Sequence, residues 1–313
     1  MAGFFGFFDY SKPGKGVDVD APPKKPFFRF WELYWRKFTR FILLNMLFFL
    51  FMLPIVTLLF QTFNTWFFSI LPESVLEELF KSVESEEGGT LVFGMLQSIL
   101  MAVPYSVPPQ VSLLLLAASA VLYGPAMCGM SYILRNYVRE EHAWMSDFFA
   151  QMKKNFRQGL ALGLLELLVL SLLFFNVSAQ PAEGTAQWLT ASLPVIKYIS
   201  IFLIILVLFA RQYMYVMAVT FDLRLTGVIK NAFAFSIVGL FRNLGLILAE
   251  AVLIVVVLLV PYADIILVPF FFFSFTGFLT MFACFPLIHK HMILPSQERK
   301  ELGEADSDGE GST

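Results

Sequence analysis

Six apolar runs, at roughly 41–60, 111–133, 159–179, 195–218, 244–261 and 264–288, make up most of the chain. Each is about as long as a helix needs to cross a hydrocarbon core roughly 30 Å thick. The pattern predicts an all-α, polytopic membrane helix bundle of six transmembrane helices, with 41–290 as its transmembrane domain. Ahead of it, residues 1–26 form a Pro/Gly-rich arm too broken for a long helix, whose Phe4, Phe5, Phe7 and Phe8 are expected to tuck against the bundle or into a leaflet. Phe27 to Arg40 then reads as an amphipathic helix. Phe27, Phe30, Trp31, Tyr34, Trp35 and Phe38 recur at three- and four-residue intervals among Arg29, Arg36, Lys37 and Arg40, the pattern of a helix lying on an anionic leaflet. The end of the chain, 291–313, reads as a disordered acidic tail.

Two of the connections repeat that amphipathic pattern. In the first, Trp144, Phe148, Phe149, Met152 and Phe156 make a helical stripe ending in Lys153, Lys154 and Arg157. In the second, Ile229, Phe233, Ile237, Leu240 and Phe241 do the same and end in Arg242. Each leads into a span through a glycine, Gly159 or Gly245. Together with Phe27–Arg40, this predicts three units of basic amphipathic helix, span, turn and span. The 61–110 segment differs: Pro72 opens an apolar stripe (Val75, Leu76, Leu79, Phe80, Val83), and Leu91–Val103 is a second apolar stretch too short to span. The reading is two short helices resting on the far face, with a re-entrant segment as the alternative.

Charge supplies the orientation. Of 22 Lys and Arg residues, 20 fall on one side of the spans: eight in 1–40, five in 134–157, four in 211–243 and three in 289–313. Only Lys81 and Lys197 lie on the other. Basic residues near span ends resist translocation, so both termini are expected in the cytoplasm, in a bacterial inner membrane. All five Trp residues (Trp31, Trp35, Trp66, Trp144 and Trp188) sit near predicted boundaries, where indole prefers the headgroup zone. Composition agrees: 58% of residues are hydrophobic, 37 are Phe, and 15% are charged where a soluble domain carries about 25%. Cys128 and Cys284 lie within spans, so they are expected as reduced, structural thiols. The opening 30 residues lack the apolar core of a cleavable signal, which leaves the first span as the expected insertion signal.

Catalytic signatures are missing. The chain has no phosphate-binding Gly-rich loop, no His-Glu-x-x-His helix, no Cys-x-x-Cys pair and no Gly-x-Ser-x-Gly elbow, so no enzyme, cofactor or metal is expected. His289 and His291 read as a solvated pair, and Asn176-Val177-Ser178 as a chance glycosylation match. Charges inside spans carry more meaning, because an ionisable group in hydrocarbon is costly and marks an ion, proton or substrate pathway by default. Glu166 and Glu250 are expected at similar depth in the inner half, with Arg211 in the inner third of its span; Asn45 is the polar candidate in the first. The structural alternative is that Glu166 or Glu250 pairs with Arg211, or stays protonated, to fix helix packing. Pro54, Pro125 and Pro286 are expected to kink their spans. Gly124-Pro125, Gly129 and Gly159/Gly163 would permit close helix approach, while Phe270–Phe273, Phe275 and Phe278 read as lipid-facing bulk. Trp144, Phe148, Phe149, Lys153, Lys154, Phe233, Phe241 and Arg242 are the residues expected to face a partner.

Two segments resemble a known family. GFFDYSKPGKGVDVDAPPKKPFFRFWELYWRKFTRFILLNMLFFLFMLP and YGPAMCGMSYILRNYVREEHAWMSDFFAQMKKNFRQG are similar to the YesL-like bacterial membrane proteins. The carrying residues are Pro13-Gly14, Gly16-Val17, Pro22-Pro23, Asn45, Pro54, Gly124-Pro125, Arg135, Arg139 and Asp147-Phe148-Phe149. The resemblance implies a Gram-positive source and, because that family's genes neighbour carbohydrate-uptake and histidine-kinase genes, a part in sugar import or its sensing. It supplies no catalytic residue, and the 61–110 connection is longer than the family's. The expectation is a non-enzymatic accessory or regulatory partner of a carbohydrate ABC-type uptake system, meeting a permease or membrane histidine kinase as well as anionic lipid, and no nucleic acid. The alternatives are a stand-alone solute or proton-coupled transporter working through Glu166, Glu250 and Arg211, and a structural scaffold.

Overall fold

The computed structural model describes residues 24–70, 72–75, 108–181, 186–260, 263–295 and 297, and among these the regular structure is helical throughout, without strands. Six helices are long and apolar enough to cross a membrane: Phe38–Leu58, Gln110–Val138, Phe156–Ser178, Thr190–Thr220, Leu240–Leu259 and Ala263–Ile293, here the first to sixth spans. They coincide with the six apolar runs. The expectations for the arm, for most of the 61–110 connection and for the acidic tail lie outside the described residues.

Each odd-numbered span is preceded by a shorter helix on the basic end of the bundle: Pro26–Arg36, Met145–Lys154 and Leu225–Val238. One residue separates helix from span in every case, and the three share a backbone state: Lys37 (φ −116°, ψ 19°), Asn155 (φ −99°, ψ 18°) and Gly239 (φ −94°, ψ 15°). That state lies off the α-helical basin, so it redirects the axis without a long loop. At the third break a side chain has no room, because a Cβ on Gly239 would run into the Tyr213 hydroxyl. The three-unit repeat is therefore visible as three equivalent joints.

These short helices are docked on the bundle as well as facing outward. In Pro26–Arg36 the buried residues are Phe30, Leu33 and Tyr34. The Phe30 ring lies 5.1–5.8 Å from those of Phe275, Phe278 and Phe282, and Tyr34 stacks on Phe41 at 4.8 Å. Phe27, Phe28 and Trp35 take the outer side. The aromatic stripe read as one lipid face thus splits, half of it becoming core. The aromatic run of the sixth span is corrected in the same way: Phe278 is fully buried and Phe273 packs on Phe48, so these rings are not lipid-facing bulk. Leu168, Leu172 and Phe175 of the third span and Tyr198 and Phe202 of the fourth are exposed instead, which is the surface a lipid-facing helix needs.

The second span is the hub, touching the first, third, fourth and sixth. Its approach to the third depends on three glycines. A Cβ on Gly124 would overlap the Gly159 carbonyl oxygen, and one on Gly163 would sit 2.6 Å from Gly124 Cα. Small residues at such a crossing let backbones meet where no hydrophobic drive separates protein from lipid tails. At the basic end, buried Arg135 donates from Nη1 to Val219 O (3.0 Å) and Thr220 Oγ1 (3.1 Å), closing the end of the fourth span, and from Nε and Nη2 to Asn136 Oδ1. Glu140, at φ 61°, accepts from Arg36 (2.6 Å) and Arg29 (3.3 Å) and ties the N-terminal helix to the second span.

Candidate intramembrane site

Glu166, Glu250 and Arg211 meet. Along their own helices, Glu166 and Glu250 lie about 15 Å from the basic ends of the third and fifth spans, and Arg211 about 14 Å from that of the fourth. Both helices begin a few residues before the apolar runs that announce them, so the two carboxylates fall midway along their helices rather than toward one end. The repeat explains the matched depth: each Glu stands eleven residues past its joint, Asn155 to Glu166 and Gly239 to Glu250. The same step from Lys37 reaches Phe48, which lines the same space.

The two carboxylates are treated differently. Glu166 is 1% exposed, and it is fully engaged: Tyr123 donates to Oε1 at 2.8 Å and Tyr215 to Oε2 at 2.5 Å. Arg211 Nε stands 2.7 Å from Oε1, although its N–H is not aimed at that oxygen, so the contact is a coulombic pair rather than a hydrogen bond. A buried carboxylate is tolerable only with such partners. Glu250 accepts one bond, from Thr280 Oγ1 at 2.9 Å, and among the described residues no Lys, Arg or His comes within ion-pair distance of it. Gln212 follows Arg211 on the fourth span; its Nε2 is buried with no partner, while its Oε1 receives a long contact (3.9 Å) from Cys284 Sγ.

These groups line a cavity of about 300 Å³, at the lower end of the range for small-molecule sites. The rest of the lining is apolar and rich in methionine: Met52, Met127, Met130 and Met281 with Phe48 and Phe273. Tyr123, Tyr215, Gln212 and Thr280 were not singled out by the sequence. Their signal is helical spacing, since Arg211 and Tyr215 are four apart on one face of an otherwise apolar span, as are Thr276 and Thr280.

Asn45 is not part of this site. Its side chain is fully buried against the sixth span, donating from Nδ2 to Val268 O (2.8 Å) and accepting from Ser274 N (2.9 Å). It spans the π-helical turn Val268–Phe272, where Pro269 lacks an N–H and the α-ladder is broken. The reading of Asn45 as a binding residue is thereby corrected to a clamp on the backbone of a neighbouring helix. Phe148 is also corrected: its ring is fully buried, stacked at 6.2 Å with Phe51, and its helix lies so close to Gly129 that a Cβ there would come 2.7 Å from Phe148 O. Phe233 is half-buried against the core, and Arg242 donates to Ala283 O at 2.6 Å. Trp144, Phe149, Lys153, Lys154 and Phe241 are exposed, Phe241 to 88%.

Residues 41–177, the first three spans, match a family described as "Protein of unknown function, DUF624". The match covers the Gly124/Gly159/Gly163 crossing, Asn45 and Glu166, and it stops short of Arg211 and Glu250. The YesL-like name and its sugar-uptake setting are not part of it. No curated protein and no solved structure matches the chain.

Proposed function

We propose that the protein is a non-enzymatic multi-pass protein of a bacterial cytoplasmic membrane, basic end inward, that binds a small solute in the cavity between its spans. The observation that carries this reading is the wall itself. Glu250 and Gln212 place a carboxylate without a direct ion pair of its own and an amide N–H without an acceptor on the cavity surface. A purely structural network would satisfy such groups, because each one left unmatched in a low-dielectric interior is destabilising. The test is thermal stabilisation of nanodisc-embedded protein by a panel of small cationic, neutral and anionic solutes. At least one should raise the melting temperature of wild type and lose its effect in Leu170→Trp, where an indole is built into the cavity wall. Stabilisation indifferent to that substitution, or none across the panel, contradicts the reading.

A second reading is favoured by the exposed basic-end surface of Trp144, Phe149, Lys153 and Lys154, with Ile237, Val238 and Phe241 beyond it. This surface suits a protein that acts beside another, and the YesL-like resemblance supplies the class: an ABC-type permease for carbohydrate, or a membrane histidine kinase. Affinity purification in mild detergent tests it. Reproducible co-elution of permease, ATPase or kinase subunits supports the accessory role, and a lone protein that itself moves solute into liposomes contradicts it.

A further inference from the structure

We propose that the cavity takes an amphipathic organic monocation and that Glu250 is its counter-ion; this deepens the solute-binding reading and rests on it. The first argument is charge balance. Arg211 is paired with Glu166, whose two oxygens are also held by Tyr123 and Tyr215, and it interacts with Glu250 at longer range, so two carboxylates share one guanidinium. Glu250 is the second carboxylate beside that one arginine, and its own contact is a single hydrogen bond from the Thr280 hydroxyl. A carboxylate at this depth calls for a cation, and the one described cation in the cavity wall is already engaged.

The second argument comes from the repeat. Glu166 and Glu250 stand at equivalent positions after equivalent joints, yet only the first has an arginine on the following span. Where the second unit holds Arg211 against Glu166, the third holds Thr280 against Glu250. Glu250 and Thr280 both line the cavity. A ligand ammonium placed there reproduces the pairing that the chain supplies for itself one unit earlier.

The rest of the wall defines the ligand further. Met52, Met127, Met130 and Phe273 offer polarisable sulfur and an aromatic face, which suit alkylammonium methyl groups and an apolar body. The same surface disfavours a polyhydroxylated solute, whose hydroxyls would lose water and gain no partner. Gln212 Nε2 has a free donor, so the ligand is expected to carry an acceptor oxygen as well as its charge.

Acetylcholine is a suitable probe, paired with 3,3-dimethylbutyl acetate, its uncharged isostere with carbon in place of the quaternary nitrogen. Affinities would be measured on full-length protein in nanodiscs at one ionic strength. Wild type should bind the cation at least about tenfold more tightly than the isostere. Glu250→Gln, which keeps an acceptor for Thr280, should weaken the cation about tenfold and leave the isostere within about twofold, while Glu250→Asp should keep the preference. Equal affinities, or an isostere bound more tightly, overturn the cation proposal; the cavity reading then stands if Leu170→Trp abolishes both. Failure of both probes to bind wild type, or binding that Leu170→Trp leaves unchanged, overturns both. The wild-type ratio decides the matter even if Glu250→Gln does not accumulate.

Discussion

Replacing Gly124 with alanine is expected to force the second and third spans apart. The added Cβ would overlap the Gly159 carbonyl oxygen and lie 2.6 Å from its carbon and 2.9 Å from Gly163 N. All three are backbone atoms, so no rotamer change relieves the clash. Ordinary contact needs about 3.5–4.0 Å, and the overlap with the carbonyl oxygen means that the helices must separate by about 2 Å. Overpacking of a tight interior costs about 1–3 kcal/mol, and a contact with backbone on both sides belongs at the upper end, about 3 kcal/mol. At about 2 °C per kcal/mol for a chain of this size, the melting temperature should fall by about 6 °C. Separation would also draw Tyr123, next to Gly124, away from Glu166. Gly245→Ala is the internal control, because a Cβ there meets nothing within 4 Å and alanine is the better helix former by about 0.5–1 kcal/mol. The assay is thermal unfolding of both variants in one detergent. A Gly124→Ala protein that melts with wild type, or above Gly245→Ala, would refute the crossing.

Three further perturbations probe other parts of the structure. Arg211→Leu leaves Glu166 buried without its cation and should cost about 3–5 kcal/mol, whereas the double variant with Glu166→Gln should recover a large part of that loss; additive losses in thermal unfolding would contradict the pairing. Asn45→Leu removes two buried hydrogen bonds to the sixth span and strands Val268 O and Ser274 N, with an expected loss of about 2–4 kcal/mol by the same assay; a neutral outcome would show that the π-helical turn needs no clamp. The hydrogen bond from Arg36, with the charges of Arg36 and Arg29, holds Glu140 below the usual carboxylate range, outweighing the opposing effect of partial burial. A carboxylate depressed in the folded state contributes stability above its unfolded pKa of about 4.3 and loses it as pH falls through the folded value. Wild type should therefore exceed Glu140→Gln in melting temperature at neutral pH, with a small gap because the pair is partly exposed, and the two should converge in acid; a gap independent of pH contradicts the assignment.

The fold was legible because lipid makes apolar length and charge sidedness decisive, and the six runs correspond to six helices. The glycine crossing was legible too, since small residues four apart in an apolar run have few other uses. Glu166, Arg211 and Glu250 stood out for the same reason: ionisable groups in a span are rare and must be accounted for. Which carboxylate takes the arginine was not legible, because it depends on how the third, fourth and fifth spans rotate against one another. Asn45 shows the limit from the other side. A polar side chain in a span serves either a ligand or a neighbour's broken backbone, and only the proximity of the Pro269 turn decides between them. Phe148 and Phe30 were misplaced for a related reason. An amphipathic stripe records that a helix has an apolar face, without recording whether lipid or protein covers it.

The most direct test of the central claim is thiol labelling at Thr276, which lines the cavity and bonds only to carbonyls of its own helix. The native Cys128 and Cys284 are buried, so wild type supplies the background. Thr276→Cys would be treated with a trimethylammonium-ethyl methanethiosulfonate and, separately, with its sulfonate counterpart. A cavity that admits solute and carries an unmatched carboxylate predicts modification at least about tenfold faster by the cation, with the preference lost in Glu250→Gln. Labelling at the same rate by both reagents, or by neither, would contradict it.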